Sequence, residues 1–197
     1  MASEVGDEEL LGGWKPRLGS LSVADKIEQA ELLKRQGNLL VQQHEFKRAL
    51  TSYAKVFAYV NGLSVAGDAM SQYAQESAGM RATQEQGAVI QALKVAVWSN
   101  MALCHVKLGV QADKALSCCE KVLELEPHHS KARFRQAQAL VQLMEYERAY
   151  KLLSKLLDDE PKNVAVRSEM RALQTKKRTA DAERKAKEKQ VFGNLFK

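Results

Sequence analysis

FRQAQALVQLMEYERAYKLLSKLLDDEP, residues Phe134–Pro161, reads as two short helices joined by a tight turn. The small residues Ala137 and Ala149 stand where the helices cross, which lets two antiparallel helices approach to within about 8–10 Å. Leu140, Tyr146, Leu153 and Leu156 fill the flanks, and Pro161 closes the unit where a helix cannot continue.

The same pattern occurs twice upstream. Lys34–Val60, KRQGNLLVQQHEFKRALTSYAKVFAYV, has Gly37 and Ala49 at the crossing, flanked by Leu33, Leu40, Phe46 and Tyr53. Ser99–Pro127, SNMALCHVKLGVQADKALSCCEKVLELEP, has Ala102 and Ala115, flanked by Leu103, Leu108 and Val122. A pattern of this kind resembles the tetratricopeptide repeat, a helix–turn–helix unit of about 34 residues. The resemblance implies an all-α fold: three such repeats stacked as a right-handed superhelix, closed by a long C-terminal capping helix, with a concave groove lined by the first helix of each unit.

Spacing fits this assignment with one departure. Ala102 and Ala137 are 35 residues apart, whereas Gly37 and Ala102 are 65 apart, so extra sequence separates the first two units. Asn61–Gly87 accounts for most of it; being polar and rich in small residues, it is expected to be partly disordered or loosely helical. From about Gln84 to Leu108 the sequence predicts a helix longer than a repeat helix. Three regions follow: 1–24, a flexible acidic segment; 25–161, the repeat domain with its insertion at about 61–87; and 162–197, the capping helix and a basic tail.

Bulk composition agrees with helices in a folded domain. The 197 residues include 45% apolar and 27% charged types, with only 11 Gly and 3 Pro. The net charge of +6 is uneven: residues 162–197 hold eleven Lys and Arg against four Asp and Glu, while the rest is near neutral. Acids interleaved at Glu169, Asp181, Glu183 and Glu188 weaken a nucleic-acid reading of the tail and favour a solvated helix. Val191–Phe192 and Leu195–Phe196 offer apolar pairs for a further protein partner. Along that tail, Val166, Met170 and Leu173 are placed to cover the third unit.

The acidic start lacks the features of a signal peptide or presequence, and no stretch reads as a membrane span of about 20 apolar residues. Cys104, Cys118 and Cys119 suit neither a disulfide pair nor a zinc site, which points to the cytoplasm, with the nucleus as the other reducing compartment. No cofactor or metal is expected: His128 and His129 follow Pro127 as turn residues, His44 lies in a turn, and His105 lies among apolar neighbours on a helix. Neither a nucleophile with its base nor a phosphate loop appears, so a binding module is favoured over an enzyme. Trp14 lies outside the repeats, as either an unstructured feature or a docking anchor.

Lys34 and Asn38 lie four apart on the first helix of unit one, Asn100 on that of unit two, and Lys131 and Arg135 four apart on that of unit three. Residues four apart share a helix face, so cations and amides converge on the groove in a set suited to a carboxylate. Each basic side chain alone reads as ordinary surface solvation, and Asn38 and Asn100 could instead cap or bridge helices; the recurrence of the set at equivalent places is the signal. The set resembles the two-carboxylate clamp of tetratricopeptide co-chaperones, which bind the acidic C-terminal peptide, ending EEVD, of the Hsp90 and Hsp70 chaperones. The resemblance covers residues about 25 to 190. It implies that Lys34, Asn38, Asn100 and Lys131 hold terminal carboxylates and that Arg135 assists along the peptide. The ending KEKQVFGNLFK resembles large FK506-binding immunophilins, and the insertion resembles the tetratricopeptide repeat protein 9 family. With no room for an isomerase domain expected in the first 24 residues, the second likeness is favoured. The competing expectation is a scaffold subunit that assembles through its tail and convex face, its groove incidental.

Overall fold

The computed structural model describes residues 5–65 and 81–195, the side chains of 64–65 and 192–195 excepted. Its helices are α1 (Asp7–Gly12), α2 (Val23–Gln42), α3 (Phe46–Val60), α4 (Gln84–Leu108), α5 (Ala112–Leu125), α6 (Ser130–Gln142), α7 (Tyr146–Asp159) and α8 (Val164–Leu195). Each of α2 to α8 packs on its sequence neighbour, and α2, α4, α6 and α8 also meet in succession. Three helix hairpins are thereby stacked, with α8 in the place of the next unit's first helix.

Local chemistry sets where these helices begin and turn. Ser22 and Asp25 form a reciprocal capping box at the start of α2, and Thr83 and Gln86 form another at the start of α4. His129 caps α6, its Nδ1 accepting from the Ala132 amide at 3.1 Å. The turns of units one and three are equivalent Schellman motifs: the Glu45 amide donates to the Leu40 carbonyl at 2.8 Å, and Glu145 to Leu140 at 2.9 Å. Each places a side-chain-bearing residue at positive φ, His44 at 60° and Met144 at 61°.

Close packing follows the small residues. Ala49, Ala102, Ala115, Ala137 and Ala149 are all fully buried. At Gly37 the approach is closest, since a Cβ built there would stand 2.7 Å from Cδ1 of Tyr53. One apolar cluster joins Leu33, Leu40, Tyr53 and Val56 to Ile90, Leu93, Val97 and Cys104, tying unit one to α4. A second joins Leu140, Leu153 and Leu156 to Val166, Met170 and Leu173, so the first turns of α8 cover unit three. Beyond Leu173, described α8 side chains are exposed or half-buried, apart from an ion pair of Lys177 with Glu147.

Three expectations are corrected. Residues 5–22, within the segment 1–24 expected to be flexible, are docked on unit one. Leu10 is fully buried, Leu11 and Trp14 pack against the first cluster, and Gln36 Nε2 donates to the Leu10 carbonyl at 2.6 Å. Tyr59 and Gln29 bind the Arg17 carbonyl and amide, at 2.7 and 2.9 Å. A terminal repeat has an open apolar end, and this segment covers it; its acidic composition concealed the few apolar residues that dock. The described ends of the insertion are not loose helix: Ser64–Val65 (β1) and Arg81–Ala82 (β2) pair in parallel. The remainder of that expectation, residues 66–80, lies outside the described residues, as does the last apolar pair's packing. Finally, α4 is long and apolar enough, by length and composition alone, to cross a membrane. It is apolar on most sides because it is the central helix, touching α2, α3, α5 and α6.

Candidate peptide-binding groove

The periphery of α4 shows where the groove opens. Ile90, Leu93, Val97 and Cys104 join the cluster shared with α2 and α3. Trp98 stacks on Phe57 of α3 at 5.2 Å and lies under Lys121 of α5. Ser99 meets α6 through Arg135. The remaining sector, through Val89, Ala92, Ala96 and Asn100, spaced three or four apart, stays open between α2 and α6.

Helices α4 and α6 run parallel across this opening. Arg135 donates to the Ser99 carbonyl at 2.6 Å and Gln142 to the Val106 carbonyl at 2.8 Å, both pairs 36 residues apart. Lys131 therefore stands one turn before the level of Ser99 and Asn100. On the other wall, Lys34 is one turn before Asn38, which touches Asn100. The N-terminal segment binds α2 through Asp25, Glu28, Gln29, Arg35 and Gln36, a face turned away from Lys34 and Asn38.

Individually, the five residues differ in state. Lys131 is exposed and Lys34 half-buried, and neither has an ion pair among the described residues. Asn38 and Asn100 are joined: Asn100 Nδ2 donates to Asn38 Oδ1 at 2.9 Å, and the Tyr53 hydroxyl donates to that same oxygen at 2.8 Å. Arg135 is drawn inward, its guanidinium bonding both the carbonyl and the hydroxyl of Ser99. Burial pushes its pKa down, opposed by the neighbouring Cys119, Cys104 and Tyr53, but an arginine remains charged at neutral pH. The arrangement offers two unpaired ammonium groups beside fixed amides, chemistry that suits an anion with several acceptor oxygens.

By its place in the repeat Tyr53 is a flank-filling core residue, and Ser99 carries no signal in the helical pattern. Both support groove residues, and only their polar atoms, too small a signal in a helical pattern, could have pointed to it. Beneath the groove, burial pushes the Cys104 thiol up to about 11 and the Cys119 thiol up to about 12, which keeps both protonated at neutral pH. Among the described residues, no group of three or more His, Cys, Asp or Glu could hold a metal.

Residues 111–183 match the family model described as tetratricopeptide repeat. The mouse peptidyl-prolyl cis-trans isomerase FKBP4 is 27% identical over 176 residues, 89% of this chain and 34% of the relative, so the chain spans about a third of the length of the curated relatives it matches. Among solved structures, the C-terminal TPR-containing domain of a Plasmodium falciparum FK506-binding protein superposes with a TM-score of 0.65 at 18% identity, covering 82% of this chain and 97% of that one. The second TPR domain of human RPAP3, in complex with the HSP70 peptide SGPTIEEVD, gives 0.53 at 19% identity, covering 76% and 98%. The first TPR of Spaghetti (RPAP3), bound to the HSP90 peptide SRMEEVD, gives 0.53 at 20% identity, covering 75% and 92%. These structures establish the tetratricopeptide fold of the stack.

Proposed function

We propose that this chain is a protein-interaction adaptor, not an enzyme, whose groove takes the free, acidic C-terminus of Hsp90 or Hsp70. In this reading Lys34, Asn38, Asn100 and Lys131 hold the terminal carboxylates, and Arg135, braced on Ser99, contacts the peptide further along. The observation that carries it is the pair of lysines left without ionic partners on either side of the joined amides. Two of the similar structures hold peptides ending in EEVD, which supports the choice of ligand. A cytoplasmic site of action, and a closer likeness to the tetratricopeptide repeat protein 9 family than to the isomerases, belong to the same proposal.

Calorimetric titration with a peptide ending Glu-Glu-Val-Asp and with its C-terminally amidated twin tests this. Micromolar binding, about −8 kcal/mol, is expected for the acid alone, weakening with added salt. Lys131→Ala with Arg135→Ala is expected to abolish it. Equal affinity for both peptides, or an unaffected double variant, would sink the proposal.

A further inference from the structure

We propose that Tyr53 is a positioning residue for the groove: its phenol holds the side-chain amide of Asn38 with the oxygen inward and the NH2 group toward the bound anion. This rests on the peptide-binding reading above.

Tyr53 is fully buried, and its hydroxyl donates to Asn38 Oδ1 with the Asn100 amide also beside it. Asn100 Nδ2 donates to the same oxygen, so both of its lone pairs are occupied from within the fold. Asn38 Nδ2 has no partner among the described residues, yet it is not sealed off. Among those residues, His105 Nδ1 is the sole buried side-chain nitrogen or oxygen without a partner. The amide thus turns its acceptor inward and leaves its donors to solvent on the groove side. A reversed amide would aim an oxygen at an incoming carboxylate, which repels it.

Sequence and packing explain how a side chain of α3 reaches a groove residue of α2. Gly37 directly precedes Asn38, and the Tyr53 ring fills the space a Cβ would take there. The small residue that lets the helices cross also lets the phenol pass beneath α2. Burial pushes the Tyr53 pKa well above its ordinary value, with Cys104 adding to the effect and the Asn100 hydrogen bond and Arg135 opposing it, so the hydroxyl remains protonated throughout the neutral range.

A double-mutant cycle of Tyr53→Phe and Asn38→Ala, read as affinity for the free-acid Glu-Glu-Val-Asp peptide, tests the coupling. Tyr53→Phe is expected to weaken binding roughly three- to tenfold, the scale of one hydrogen bond, and to change nothing further once Asn38 is alanine. An unchanged affinity, or an equal loss in both backgrounds, overturns the inference, the latter because the effect is then only structural. In the free protein, 15N relaxation of the Asn38 side-chain amide reads the same positioning without any ligand. Tyr53→Phe is expected to loosen it, and an amide equally ordered in both proteins overturns the inference. Wild-type protein that ignores the peptide but shows this loosening would remove the chaperone reading and leave the positioning in place.

Discussion

His105 shows what one residue of α4 does to the pH response. It is 6% exposed, and its Nδ1 has no hydrogen-bond partner among the described residues. Burial lowers its pKa, Lys114 adds to this and Asp113 opposes it. Above about 6.5 the imidazole is neutral in both folded and unfolded chains and contributes no pH dependence. Below that value the unfolded chain takes up a proton that the folded one resists, so stability falls as the pH drops through this window. His105→Gln is expected to flatten this part of a plot of urea midpoint against pH; parallel curves for the two proteins would contradict it. The reading of His105 as a helix residue among apolar neighbours was legible from its flanks. That its Nδ1 is orphaned was not, since this depends on which groups α5 brings up to it.

At the scale of elements, the inter-helix turns carry a cost that their sequences disguise. QQHEF and QLMEY end their helices without the glycine usual at the left-handed position of a Schellman motif, so His44 and Met144 occupy it. Met144 is 74% exposed and gives up little packing if truncated. Met144→Gly is therefore expected to stabilise by up to about 1 kcal/mol, the relieved backbone strain exceeding the added flexibility of the unfolded chain. The matching rise in Tm is about 2–4 °C by calorimetry, and a fall would show the strain to be negligible. The start of α4 near Gln84 was legible in the sequence, where Thr83 and Gln86 have the spacing of a capping pair. The β1–β2 pairing was not, because two-residue strands leave no periodicity and their partners, Ser64 with Arg81 and Val65 with Ala82, are far apart in the chain.

For the whole molecule, the two ends of the stack are closed by different means. At the N-terminal end Leu10 is buried against unit one, and Leu10→Ala is expected to cost about 2–5 kcal/mol, as for other core leucines. At the other end α8 covers unit three only as far as Leu173. Ending the chain after Thr179 is expected to leave the urea midpoint unchanged, the removed and described side chains being mostly exposed. Should the truncation unfold the protein and Leu10→Ala not weaken it, the roles of the two ends would be reversed. The apolar character of α4 belongs to this scale too, since a helix at the centre of the stack needs apolar residues on most of its sides.

By itself the sequence determined the three helix hairpins, the positions of their small crossing residues and the cover that α8 gives to unit three. These follow from local periodicity, from residue size and from proline and capping signals, all of which act within one or two helices. It also placed Lys34, Asn38, Asn100, Lys131 and Arg135 on the first helices of their units. Only the tertiary structure decided that Asn38 and Asn100 bond to one another, that Arg135 turns inward to Ser99, that Tyr53 supports the amide pair and that residues 5–22 dock on α2 and α3. Each of these joins side chains from different elements, and a hydrogen bond across elements depends on atomic placement to a few tenths of an ångström, which packing fixes and a one-dimensional pattern does not encode.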